Sequence, residues 1–285
     1  MREIIFSIFA LSLGCSSKDG APLADDTGTT DDTGDDTATD APGETPPATA
    51  CAPGEKTGAA GKTDGLKTAV GTKYNVRTAA TYDPTAATPL VIVYAPAGGD
   101  PATTESFTKL TPDVTARGWM IAYLDHLTPS TPAIAKNAAS IAQLVSDQWC
   151  VDPTRIYLTG HSDGGSTASI VAIGKLVGAA ALGPSAAGVN GAYLASQKCP
   201  APLPVMVMHG KNDTLFPGFG KEAADWWQKC FKCTAGAALP NGCIPYTGCE
   251  GGVEVRYCER NATHPQWPAM NADLLDFFAR FTLPK

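Results

Sequence analysis

Arg155-Ile-Tyr-Leu-Thr-Gly160-His161-Ser162-Asp163-Gly164-Gly165 is the stretch on which the reading of the whole chain turns. Residues 155–159 predict a strand, Gly160-His161-Ser162-Asp163-Gly164 is a G-x-S-x-G turn, and 166–176 carry a helical pattern. Strand, turn and helix in that order are the context of a nucleophile elbow, which an isolated Ser/Gly turn lacks. The turn forces Ser162 into a strained backbone conformation, and residues two positions away on either side must lack a β-carbon. Gly160 and Gly164 meet that requirement. Ser162 is then presented above a sheet at a helix N-terminus, whose dipole favours developing negative charge.

Outward from this stretch the chain alternates strand-like and helix-like segments. Residues 70–81 predict an early strand or hairpin, and 89–94 a continuous apolar strand that stops at Ala95-Pro96-Ala97-Gly98-Gly99. A helix is expected over 104–117, a second buried strand over 119–124 and an amphipathic helix over 132–149. Three more strands are expected at 179–182, 204–208 and 252–257, and a closing helix at 271–281. Strands apolar on both faces, alternating with helices, imply an α/β fold: a mostly parallel central sheet with helices on both faces. Gly61-Lys62-Thr63 has the ending of a phosphate-binding loop, but Lys56 stands where that motif needs its first glycine.

A serine needs a base, and the base needs an orienting carboxylate. In this strand–elbow–helix arrangement the chain order is Ser, acid, His. Only His209 and His264 follow Ser162. His264, after the last strand and before the closing helix, is the expected base, whereas His209 ends a strand as His-Gly and supports a turn. Asp213, just past the end of the 204–208 strand, is the expected acid. Its rivals, Glu222 and Asp225, fall on the next helix. The oxyanion needs two backbone donors. One is the N–H of Asp163; Pro96 has none, so the other is Ala97 or Gly98. Phe216 and Phe219 beside the acid and Trp267 beside the base either line an aromatic-accepting cleft or pack at its rim.

The chain has 285 residues and a formal net charge of −7, unevenly spread. Residues 18–44 hold Lys18 against nine acids, whereas 51–285 carry 19 Lys+Arg and 18 Asp+Glu. A nearly neutral folded part argues against nucleic acid as a partner, since phosphate binding needs a basic excess. Residues 15–50 are rich in Asp, Thr, Gly, Ala and Pro and bury almost nothing, so they are expected to be a disordered linker. Before them, residues 1–14 read as an export signal: Arg2, then an apolar run of 11 residues. As a helix that run spans only about 16 Å, about half a bilayer's hydrocarbon core. It stops at Gly14-Cys15-Ser16-Ser17, which resembles a bacterial lipobox, so Cys15 is the expected site of lipid attachment and the only tie to a membrane. The protein is accordingly expected to be exported, as an outer-membrane or cell-surface lipoprotein or a secreted one.

Nine cysteines less Cys15 leave eight, an even number that argues for four disulfides in an oxidising compartment. Cys230-x-x-Cys233 has no second such pair to make a zinc module. Five of the eight (Cys230, Cys233, Cys243, Cys249 and Cys258) lie within 29 residues, so at least one must bridge to Cys51, Cys150 or Cys199. A bridge from Cys258 to Cys230 or Cys233 is expected to pin the loop carrying His264, with Cys150 paired to Cys199.

Taken together these residues resemble the α/β-hydrolase fold, and more narrowly the esterase family of polyhydroxybutyrate depolymerases, feruloyl esterases and acetylxylan esterases. The resemblance covers about 74–281. It is carried by Tyr82-Asp-Pro with Pro89-Leu-Val-Ile-Val, by Cys150-Val-Asp-Pro-Thr-Arg through Gly165, by His209-Gly…Asp213, and by His264…Trp267-Pro268. Two departures are Ala95-Pro96, where the family usually has His-Gly, and two residues rather than one between His264 and Trp-Pro. The resemblance implies a serine esterase with Ser162, His264 and Asp213 as its triad, an ester substrate (polymeric ones included), no metal or organic cofactor, and a monomer. Acyl transfer to an alcohol other than water remains open, as does a non-catalytic surface-binding protein on the same scaffold.

Overall fold

The strand before the elbow lies near the middle of a ten-stranded sheet. The computed structural model describes residues 50–128 and 131–284. The expected signal segment, Cys15 and all but the end of the linker lie outside them. In chain order the strands are β1 (Lys62–Lys67), β2 (Lys73–Arg77), β3 (Thr88–Tyr94), β4 (Met120–Leu124), β5 (Val151–His161), β6 (Ala181–Ser185), β7 (Val205–Gly210), β8 (Thr234–Ala235), β9 (Ile244–Thr247) and β10 (Val255–Arg260). Their order across the sheet is β1-β2-β4-β3-β5-β6-β7-β10-β9-β8. The six central strands, β4 to β10, run parallel. Antiparallel strands extend both edges.

The helices are α1 (Pro101–Thr108), α2 (Leu110–Ala116), α3 (Pro132–Gln148), α4 (Asp163–Ile173), α5 (Gly191–Ala195), α6 (Phe219–Cys230) and α7 (Asn271–Ala279). They cover both faces, as the apolar strands imply. In β3, Leu90, Ile92 and Tyr94 pack with residues of α3, α4 and α6 such as Val145, Val171 and Trp227. Val91 and Val93, pointing the opposite way, pack with Leu110 and Val114 of α2 and Leu274 and Phe278 of α7.

The expected helix at 104–117 is two helices. Lys109 between them has a left-handed φ of 52°. Pro112 explains the break, because its ring would collide with the carbonyl of Thr108 in a continuous helix. The freed carbonyls of Thr108 and Lys109 accept hydrogen bonds from Asn271 Nδ2 at 3.1 and 3.2 Å. The edge strands β1, β8 and β9 carry too little apolar pattern to be read from sequence, and β1 is largely exposed.

The eight described cysteines form four pairs at disulfide distance: Cys51–Cys150, Cys199–Cys230, Cys233–Cys249 and Cys243–Cys258. Four bridges are present, and one of the clustered five does reach outside, to Cys199. The particular partners differ from expectation. Cys258 is joined to Cys243, not to Cys230 or Cys233, and Cys150 to Cys51, not to Cys199. The reason is register: β9 runs antiparallel to β10 with Tyr257 opposite Ile244, which sets the next pair, Cys258 and Cys243, side by side. The bridge therefore ties an edge strand to β10, the strand from which the His264 loop departs, rather than anchoring that loop to α6.

Candidate active site

Ser162 occupies the corner between β5 and α4 with φ 55° and ψ −120°. Such a conformation is costly for a residue with a side chain and is retained where the surroundings over-determine it. The close approach behind it explains the glycines. A β-carbon on Gly164 would lie 2.0 Å from the carbonyl oxygen of Tyr94, and one on Gly160 would lie 2.5 Å from the Gly164 backbone. The helix α4 begins at Asp163, three residues earlier than its apolar pattern suggests, so its N-terminus starts directly after the serine.

Three elements bring their ends to this corner. His264 Nε2 lies 2.9 Å from Ser162 Oγ, and His264 Nδ1 lies 2.7 Å from Asp213 Oδ2. A carboxylate only accepts, so Nδ1 carries the proton and Nε2 is left to accept from the serine hydroxyl. The other carboxylate oxygen, Oδ1, accepts from the backbone N–H groups of Leu215 and Phe216 at 2.9 and 2.8 Å. Burial alone would raise the Asp213 pKa; the Phe216 and Leu215 N–H groups and the His264 imidazole outweigh it and hold the carboxyl below its ordinary value. The arrangement can deprotonate a hydroxyl as it attacks an electrophile and stabilise the imidazolium that results.

The rivals point elsewhere. The His209 side chain is buried and makes no hydrogen bond among the described residues, and its Nε2 is 3.8 Å from Asp213 Oδ2. Glu222 accepts from the Gly191 N–H at 2.6 Å, and the exposed Asp225 pairs with Lys221 at 2.6 Å.

Of the expected oxyanion donors, Asp163 is the first residue of α4, where an N–H has no partner within its helix. In the loop after β3, the Ala95 N–H is used by Leu124 O at 3.2 Å and that of Gly99 by Pro96 O at 2.9 Å. The N–H groups of Ala97 and Gly98 have no acceptor among the described residues, so both stay available. His126, which the sequence did not single out, reaches both halves of this cradle. Its backbone N–H donates to Gly99 O at 3.3 Å and its Nε2 lies 3.0 Å from Asp163 Oδ2.

The expected aromatic residues divide. The Phe216 ring meets His264 edge-on at 4.8 Å and stacks on Phe219 at 5.4 Å. Trp267 lies instead 6.2 Å from His161 and 6.3 Å from Phe107. It also lines a shallow hollow of about 400 Å³ with Arg260, Asn261 and Gln266. Among the described residues no group of three or more His, Cys, Asp or Glu is arranged to hold a metal ion.

His161 is the residue whose importance the pattern hid. It is 3% exposed, with Nε2 2.7 Å from the backbone oxygen of His264 and Nδ1 3.0 Å from Ser185 Oγ. Burial lowers its pKa from 6.5 to about 4. Between those values an unfolded chain binds a proton that the folded chain refuses, so stability should fall as the pH is lowered from 6.5 to 4. His161 alone should remove about 3 kcal/mol by pH 4. The buried His209, also shifted down by desolvation, acts in the same direction. The lowered Asp213 works in a different window, losing its contribution only as the pH falls below its ordinary 3.8. Urea titrations at pH 7, 5.5 and 4.5 check this; equal midpoints in the wild type, or an undiminished slope in a His161→Gln protein, would contradict it.

No protein-family model matches this chain, and no curated protein matches it. Solved structures do. An acetyl xylan esterase from Aspergillus awamori superposes with TM-score 0.59 at 13% identity, covering 78% of this chain and 99% of its own. A thermophilic esterase from the planctomycete Thermogutta terrifontis gives 0.55 at 14% identity, covering 79% and 94%. A fluorophosphonate-binding serine hydrolase of Staphylococcus aureus gives 0.56 at 11% identity, covering 78% and 99%. Identities this low speak for the fold. The six parallel strands, the helices on both faces and the elbow after β5 agree with them: the chain has the α/β-hydrolase fold.

Proposed function

We propose that this protein is an exported, membrane-tethered serine esterase that hydrolyses carboxylic esters. The observation that carries the reading is the series of contacts Ser162–His264–Asp213, whose donors and acceptors suit nucleophilic catalysis with the imidazole proton on Nδ1. Ser162 Oγ attacks the ester carbonyl while its proton passes to His264 Nε2, and Asp213 stabilises the imidazolium. The carbonyl oxygen takes the negative charge, held by the N–H of Asp163 and that of Ala97 or Gly98. Collapse expels the alcohol, which takes the proton from Nε2 and leaves an acyl group on Ser162. Water, deprotonated by the same histidine, then releases the acid and restores the serine. No metal or organic cofactor enters these steps.

The likeness to esterases, one of them an acetyl xylan esterase, supports an acyl ester as substrate. Phe216, which meets the base edge-on and stacks on Phe219, suits a feruloyl or hydroxyalkanoate acyl group as well as acetyl. Hydrolysis of a panel of p-nitrophenyl and feruloyl esters and of polyhydroxybutyrate films tests the reading; no turnover of any member would refute it.

Four disulfides support an exported protein. Cys15 would carry the lipid, and the acidic linker would hold a monomeric catalytic domain off the surface. Cys15→Ser should therefore move the protein from the membrane fraction to the soluble one, with metabolic fatty-acid labelling lost. Absence of label on the wild type would mean a cleaved signal peptide without a lipid.

A further inference from the structure

We propose that His161 is a positioning residue, holding the backbone of His264 so that its imidazole meets Ser162; this rests on the esterase reading above. His264 sits on an irregular segment between β10 and α7, followed by Pro265, which has no N–H to fix it. Neighbouring stretches of that segment are tied down separately. The Asn212 N–H donates to Ala262 O at 3.0 Å, and Thr263 and Gln266 bond to each other. At His264 itself, the backbone makes one hydrogen bond among the described residues, and its donor is His161 Nε2 at 2.7 Å.

The chemistry of the partners assigns the proton. A backbone carbonyl only accepts, so Nε2 of His161 carries the hydrogen. In the neutral ring Nδ1 is then an acceptor, and it faces a hydroxyl able to donate, Ser185 Oγ at 3.0 Å. Ser185 in turn accepts the Ser162 N–H on its backbone oxygen at 2.9 Å. One buried imidazole thus links the end of β6, the elbow and the base-bearing loop. Phe107 packs edge-on against its ring at 5.2 Å, closing one side of it. The downward pKa shift agrees with a ring that stays neutral, with one donor and one acceptor.

The two ring nitrogens can be tested apart, because asparagine and glutamine place their amides at different depths. In His161→Gln the longer side chain brings its amide to the position of Nε2, where it can donate to His264 O. In His161→Asn the amide reaches only the position of Nδ1 and keeps the bond to Ser185. Misplacing a reacting group by about 1 Å costs on the order of 10²-fold in rate. Accordingly His161→Asn should lower kcat on p-nitrophenyl acetate about 10²-fold with little change in KM, and His161→Gln should lose less than about 10-fold. His161→Phe keeps a ring against Phe107 but has neither bond; it should behave like the asparagine protein and replaces it should that one not fold.

A second readout needs no substrate. The low-field NMR signal of the His264 Nδ1 proton, hydrogen-bonded to Asp213, should shift or broaden in His161→Asn and His161→Phe and persist in His161→Gln. Equal losses of kcat in the Asn and Gln proteins, or a wild-type proton signal in all three, would overturn the proposal. A wild type inactive on every ester would overturn the esterase reading alone, since the proton signal would still report whether His161 holds His264.

Discussion

Ser162→Ala should lower ester turnover by about 10⁶-fold, to the level left by binding and oxyanion donors alone. The loss is confined to the chemistry. Among the described residues the hydroxyl makes one hydrogen bond, to His264 Nε2 at 2.9 Å, and the elbow is held by backbone groups that alanine keeps. Ser162 N–H still donates to Ser185 O, and its own carbonyl still accepts from Ser166 N–H, each at 2.9 Å. Alanine at φ 55° carries the same backbone strain as serine, so the thermal midpoint should move little. Kinetics on p-nitrophenyl acetate beside a melting curve check both halves. Wild-type-like turnover by a folded Ser162→Ala protein would end the nucleophile assignment, and a collapse of the melting curve would mean that the hydroxyl supports the elbow.

Asp213→Asn should cost about 10⁴ in kcat while leaving the fold in place. The side-chain oxygen of asparagine can go on accepting from the N–H groups of Leu215 and Phe216, which hold Oδ1 now at 2.9 and 2.8 Å. That leaves the amide NH₂ facing His264 Nδ1, where Oδ2 stands at 2.7 Å. Nδ1 must then accept, which moves the imidazole proton to Nε2 and turns a hydrogen-bond donor toward Ser162. The base is present but in the wrong tautomer. Asp225→Asn, on an exposed residue paired with Lys221, should change kcat by less than about twofold, as exposed ion pairs are worth little. If Asp225→Asn were the more damaging of the two, Asp213 would not be the acid.

Much of the architecture was legible because it is written in short stretches. Residues 89–94 are apolar at every position, and a strand apolar on both faces belongs inside a sheet covered on both sides. The helix α3 (Pro132–Gln148) announces itself by its apolar stripe and by Pro132 behind the capping residue Thr131. The break after Thr108 was open to a stricter reading, since Pro112 already forbids a continuous helix there. The edge strands were not legible. Lys62–Lys67 is polar and largely exposed, and only the neighbouring β2 gives it reason to be a strand.

By itself the sequence determined the elbow and narrowed the groups that could serve it to a few candidates. Gly160 and Gly164 leave room for the backbone of Tyr94, Ser162 lies between them, and only two histidines follow in the chain. These are choices of residue type at a known position, and local sterics and chain order suffice to read them. Only the tertiary structure decided which distant groups meet. Eight cysteines allow about a hundred pairings, and the register of β9 on β10 selects Cys243 for Cys258. His161 stands in the sequence as the unspecified second residue of a five-residue motif. Its hydrogen bond to His264 O spans 103 positions, and nothing in residue preference encodes a partner that far away. Such contacts are set by where the crossovers of a parallel sheet return the chain, and that is a property of the whole packed sheet rather than of any stretch within it.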